Sequence, residues 1–213
     1  MSSHHIVRDE QEPALLVAAP GMLSAEGIGS LLEWSPTVMV LSPMVDRVLA
    51  WGIKLDVVVC FEDEVETLRP VLQPQSPVKV LAIPRDSGQL LATALVFLHQ
   101  SKHTAVNVLA DLHHQGQDTF LALQEFTGVL QLVVYSQGHK CWPARANRLE
   151  KWLPKGQELE LLPLQAGMRL RTQGLFPAFN NDFWEQPVQV KAEEEGRVTA
   201  EATGPFWIYE KVE

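Results

Sequence analysis

Asp56-Val57-Val58-Val59-Cys60, followed without a break by Phe61-Glu62-Asp63-Glu64-Val65-Glu66, sets an apolar, β-branched run against a carboxylate-rich segment. A run that is apolar at every position marks a strand buried on both faces, as in a parallel sheet covered by helices. The acids that follow suit the first turn of a helix, whose dipole favours negative charge there. The same alternation extends to either side. Residues 14–19, 37–41, 78–83, 104–109 and 130–135 read as further strands. Helical patterns fall between them near 25–34, 44–51, 64–72, 87–100 and 118–127. Ser24 is placed to cap the first of these helices, and Gly52 suits the end of the second. Strands alternating with helices define an α/β domain with a mainly parallel sheet over residues 1–138.

Beyond Gly138 the pattern changes. Short runs at 159–164, 168–172, 188–192, 197–202 and 206–210 are separated by turn residues, and Arg197-Val198-Thr199-Ala200-Glu201-Ala202 alternates with period two. A small antiparallel β-sandwich over 145–213, joined to the first domain near 138–145, is the expected second part. In its last strand Phe206 and Ile208 share one face, and Trp207 and Tyr209 share the other. Trp207 is read either as core or subunit interface, or as a ring on which a flat ligand stacks.

The chain has 213 residues, 46% hydrophobic and 20% charged, with a formal net charge of −9. No apolar run approaches the ~20 residues of a membrane span. The negative charge works against nucleic acid and anionic membranes as partners, which leaves a small molecule or a protein. The first residues lack the apolar core of a signal peptide, so a cytoplasmic location is expected. Two cysteines, Cys60 and Cys141, make neither a disulfide framework nor a zinc site on their own, and Cys60 reads as a small buried apolar side chain. His103, His113 and His114 read as exposed loop histidines. No G-x-x-x-x-G-K-[ST] or G-x-S-x-G pattern is present. The carboxylates Glu62, Asp63, Glu64 and Glu66 follow a strand end, where open α/β sheets place ligands. Such acids suit magnesium, which prefers oxygen ligands, although an acid-rich helix start is equally ordinary.

The order of elements and several spacings resemble the thiamine pyrophosphokinase family, over nearly the whole chain. In the tail, Pro154-Lys155-Gly156-Gln157, Leu161-Leu162-Pro163-Leu164 and Thr172-Gln173-Gly174-Leu175 resemble the family's "kG…vSLiPL…tkGLkYPL" region. Gly196-Arg197-Val198-Thr199 through Phe206-Trp207 resembles the closing strands, with the tryptophan that stacks on thiamine in some members. Asp46 through Asp56 resembles the helix and "GI.PD" turn that precede the catalytic acids. The resemblance implies an α/β catalytic-type domain, a thiamine-binding-type sandwich, a homodimer, and pyrophosphate transfer from ATP to thiamine with magnesium.

The family's catalytic segments are largely replaced. Its "ADGg" falls on Leu41-Ser42-Pro43-Met44, which puts Ser42 where an aspartate is expected. Its "GDxDS" falls on Cys60-Phe61-Glu62-Asp63-Glu64 and keeps only Asp63. Its "PDQd.TDx.KAl" falls on residues 84–95, with Leu90 in place of an aspartate and Thr93 in place of the lysine. Asp118 is the remnant of "GGRxDH", and the Ser-Asn pair used on thiamine has no match around Val188-Gln189-Val190. Pyrophosphoryl transfer must neutralise several phosphate charges, and these losses remove most of the field that does so. The expected function is therefore a thiamine pyrophosphokinase-like pseudoenzyme that keeps the fold and binds a thiamine-like heterocycle through Trp207, Ser42 and Asp118. One alternative is an active, divergent kinase in which Glu62, Asp63, Glu64 and Asp86 act with magnesium on Asp63 and Glu62, and Arg85 and Arg47 supply the positive charge. A purely structural or protein-interaction module is the other.

Overall fold

In the computed structural model, residues 12–19, 25–34, 36–86, 89–112 and 116–212 are described. The chain divides into two compact units, Met1–Gln137 and Gly138–Glu213. Ser24, Ser87, His113 and His114 lie outside the described residues.

The first unit runs β1 (Ala14–Val17), α1 (Ala25–Leu32), β2 (Val38–Leu41), α2 (Val45–Ala50), β3 (Val57–Phe61), α3 (Val65–Leu72), β4 (Lys79–Ile83), α4 (Leu90–Gln100), β5 (Ala105–Leu109), α5 (Gly116–Phe126) and β6 (Gln131–Ser136). Its strands lie in the order β6-β5-β1-β2-β3-β4, and every adjacent pair is parallel. Alternate side chains of the fully apolar strands serve opposite faces. Leu15, Val17, Val38, Val40, Val58 and Cys60 pack with Ile28, Val45, Val48 and Leu72 from α1, α2 and α3. From the other layer α4 buries Leu91, Ala94, Leu95 and Leu98. The end strand β4 departs from the expectation of cover on both faces. Among the described residues it pairs only with β3, and Lys79, Val80 and Ala82 are exposed.

Helix α2 shows how local sequence sets its own limits. Gly52 adopts φ +73°, the left-handed conformation that costs glycine least. Its N–H donates to the Leu49 carbonyl, and the Ile53 N–H reaches back to Val48. This pair of reversed bonds ends the helix, with Ile53 and Val48 buried in the same cluster.

The second unit contains β7 (His139–Pro143), β8 (Arg148–Leu153), β9 (Glu158–Pro163), β10 (Met168–Gln173), β11 (Leu175–Phe176), β12 (Asn180–Trp184), β13 (Val188–Ala192), β14 (Gly196–Ala202) and β15 (Phe206–Lys211). The strands form two antiparallel layers, β11-β13-β9-β15-β7 and β12-β10-β14-β8. Residues 138–145, expected as a connector, hold β7. The inner faces meet in one core. Leu149, Met168, Leu170, Trp184, Val198 and Ala200 come from one layer, and Leu159, Leu161, Val190, Phe206 and Ile208 come from the other. Trp184 meets Phe206 edge-on, with ring centroids 5.5 Å apart.

The two thiols give the fold an alkaline limit. Cys60 and Cys141 are both fully buried. Burial pushes the Cys60 thiol up, and the Glu64 and Asp63 charges add to this. Burial and then the Glu160 charge push the Cys141 thiol well above its ordinary range. In the unfolded chain both ionise near pH ~8.5, whereas in the folded chain they keep their protons. Their contribution to stability is thus complete below that pH and is lost as pH rises toward their folded pKa values. Urea unfolding between pH 7.5 and 10 is expected to show stability falling by up to ~1.4 kcal/mol per pH unit per thiol. A flat profile would rule this out.

Candidate functional site

The carboxyl ends of β2, β3 and β4 bring the first unit's chemistry together. Strand β2 leads into a single 3-10 turn, Ser42–Met44, and β3 into another, Glu62–Glu64, each continuing directly as a helix. The Phe61 backbone is extended, and its N–H donates to Glu64 Oε2 at 3.0 Å, so the third residue of the turn caps its own start. The same Glu64 oxygen accepts from Ser42 Oγ at 2.6 Å. One carboxylate thus ties the end of β2 to the end of β3.

Arg85, two residues beyond β4, closes the group from the other side. Its Nε donates to Asp63 Oδ2 at 3.1 Å, and its Nη2 lies 3.0 and 2.9 Å from the two Asp63 oxygens. Nη2 also reaches Glu64 Oε1 at 3.4 Å. The guanidinium carbon stands 4.3 Å from the centre of the Phe61 ring, in cation–π position. Hydrogen bonding to Asp63 is the main reason the Arg85 pKa is raised further. The forked geometry is the one in which arginine binds carboxylate best.

The other expected site residues are placed as follows. The side chains of Glu62 and Asp86 are exposed and have no hydrogen-bond or ion-pair partner among the described residues. Asp118 sits in the first turn of α5, but its side chain lies outside the described residues. Trp207 is fully buried on the face of β15 opposite Phe206 and Ile208, so its ring offers no open side to a dissolved ligand. His103 corrects the expectation of an exposed loop histidine. It is buried just before β5, with Nε2 3.2 Å from Thr37 Oγ1 and Nδ1 unpartnered. Since Thr37 immediately precedes β2, this contact lies at the amino ends of the strands, away from Arg85. The Ser42–Glu64 and Arg85–Asp63 pairings were not foreseen, because each joins residues 22 apart whose proximity follows from strand order alone.

Of the two carboxylates expected to hold magnesium, Asp63 already has a protein cation beside it and Glu62 does not. Both Asp63 oxygens already face a guanidinium, and Glu64 is shared between Arg85, Ser42 and a backbone N–H. Among the described residues no group of three or more histidine, cysteine or acidic side chains is arranged to hold a metal ion. A cation bound at Asp63 would share that carboxylate with Arg85 or take its place.

This fold is that of the thiamine pyrophosphokinases: solved structures of that class match nearly the whole chain. The yeast enzyme superposes with a TM-score of 0.77 over 98% of this chain and 88% of its own, at 9% identity. The Candida albicans enzyme gives 0.75 over 96% and 90%, also at 9% identity. The Bacillus subtilis enzyme gives 0.73 over 94% and 98%, again at 9%. No family profile matches the sequence, and no curated protein matches it. Among the described residues no helix is long and apolar enough to cross a membrane.

Proposed function

We propose that this chain is a thiamine pyrophosphokinase-like protein that has lost pyrophosphoryl transfer and keeps binding of a small heterocycle of the thiamine kind. The observation that carries this reading is the Arg85 fork on Asp63 and Glu64, an internal cation standing where a catalytic site would need metal-accessible carboxylates. The shared fold supports the ligand class, with Met1–Gln137 as the catalytic-type unit and Gly138–Glu213 as the thiamine-binding-type unit. ATP is disfavoured. Its polyphosphate would meet Glu62, Asp63, Glu64, Glu66 and Asp86, with Arg85 already neutralised by its partners. Calorimetric titration tests the reading. Thiamine is expected to bind and ATP with magnesium is not; the reverse order of affinities would reject it. The buried Trp207 is read as structural, so thiamine affinity is expected to survive Trp207→Phe.

The same reading includes a homodimer. The exposed aromatic side chain of Phe176, more than half exposed on β11, supports it. Light scattering at micromolar concentration is expected to give twice the chain mass. A monomeric mass would remove this part of the proposal.

A further inference from the structure

Strand β10 alternates strictly. Met168, Leu170 and Thr172 are buried, while Arg169, Arg171 and Gln173 face solvent. On this outer face, between β12, β10 and β14, lies an open cavity of about 500 Å³ lined by Arg169, Arg171, Asn180, Asn181, Glu201 and Thr203. Its volume falls within the range of small-molecule sites, roughly 300–1,000 Å³. A β-bulge borders it. Leu170 is paired with Asp182 and Arg171 with Asn180, which leaves Asn181 as the extra residue, at φ +66°.

The charges of this face are unevenly committed. Arg169 donates to the Asn181 carbonyl at 3.0 Å and stacks on Phe183 at 4.5 Å. Arg148 pairs with Glu150 at 2.9 Å and Glu201 at 3.0 Å, and Arg197 pairs with Glu150. Arg171 alone among these arginines has a side chain with no partner among the described residues. Its register partner across the strands is Glu201, whose Cβ should stand about 5 Å away. The two nevertheless form no ion pair. Glu201 turns Oε1 to Arg148, and its other oxygen has no ion-pair partner among the described residues. An open guanidinium fork and a carboxylate with a free oxygen thus stand side by side in one cavity.

We propose that this cavity binds a small dipolar carboxylate of the α-amino-acid class. The ligand carboxylate lies on the Arg171 fork, and its ammonium faces Glu201. A simple anion is attracted by Arg171 but repelled by Glu201, and a simple cation meets the opposite conflict. A molecule with both charges a few ångströms apart satisfies both groups, and the carboxamides of Asn180 and Asn181 can serve its remaining polar atoms. The site lies wholly within the second unit and involves none of the residues at the strand ends of the first.

NMR titration of the full chain at low ionic strength tests this with L-alanine, L-serine and L-glutamate as probes, and with acetate and ethylamine as half-molecules. At least one amino acid is expected to saturate with a Kd about tenfold or more below that of acetate or ethylamine. Arg171→Ala should weaken it about tenfold or more, Arg171→Lys should recover only part of the loss, and Glu201→Gln should remove the preference over acetate. Both side chains point to solvent, so unchanged near-UV circular dichroism is expected of each variant. Absence of saturation with all three amino acids, affinity equal to that of acetate, or indifference to Arg171→Ala would each overturn the proposal.

Discussion

Incubated with thiamine, ATP and magnesium, the protein is expected to form thiamine diphosphate at least ~10⁴-fold more slowly than an active thiamine pyrophosphokinase. Removing one group that stabilises transition-state charge typically costs 10²- to 10³-fold, so two independent losses already reach that figure. The proposed function implies more than two here. Ser42 is turned to Glu64, and Phe61 presents a ring to Arg85 where the family motif calls for a carboxylate. Leu90 and Thr93, on the first turn of α4, supply neither a metal ligand nor a cation. Arg85→Ala should free Asp63 and one oxygen of Glu64 without restoring turnover, because Leu90 and Thr93 on α4 still supply neither a carboxylate nor a cation. Thiamine diphosphate formation by the wild type at an ordinary enzyme rate would overturn the proposed loss of activity. It would then favour a kinase in which Glu62, Asp63, Glu64 and Asp86 act with magnesium.

The second large effect concerns stability. Phe206→Ala is expected to destabilise the second unit by ~3–5 kcal/mol, the usual cost of emptying a ring-sized space in a packed core. Phe206 is 1% exposed, belongs to the cluster shared by both layers, and meets Trp184 edge-on. Phe183→Ala is the matching control. At 69% exposed it should change stability by less than ~1 kcal/mol. Urea unfolding monitored by far-UV circular dichroism measures both. A loss below ~1 kcal/mol for Phe206→Ala would mean that the layers close over the gap.

The two effects rest on parts of the fold that differed in legibility. Val57–Phe61 and its companion strands were readable because burial on both sides demands an unbroken apolar run, which few other structures tolerate. Phe206 and Ile208 were assigned to one face from period-two geometry, and they do share the sandwich core. The strands β8 and β12 were not found. Arg148–Leu153 places three charged side chains among six residues, and Asn180-Asn181-Asp182 has the composition of a turn. An outer strand of a sandwich needs only one apolar face, so its signal is half as dense. His103 misled because polarity argued for solvent, whereas Thr37 on a neighbouring strand approach supplies a partner inside. At the candidate site the residue types were visible but their pairing was not. Nothing local in Asp63 or Arg85 indicates that β3 and β4 are adjacent, which is what places them within 3 Å of each other.

The central position of β1 in the first sheet also orders events in time. Its register with β2 joins Leu15 to Val38, 23 residues apart, whereas its register with β5 joins Ala14 to Val106, 92 residues apart. Closing a loop four times longer costs roughly 1.2 kcal/mol more in chain entropy, at about 0.6 kcal/mol per doubling. The β1-β2-β3-β4 half can therefore assemble from neighbouring segments, while β5 and β6 must wait to dock on the far side of β1. Pulse-labelling hydrogen exchange during refolding is expected to protect Val38–Leu41 and Val57–Phe61 before Ala105–Leu109, and the opposite order would contradict it. Until β5 arrives, β1 has one unpaired edge, made of residues that are wholly buried in the finished protein. The refolding chain passes through a stage in which a wholly apolar strand is open to any other strand that reaches it first.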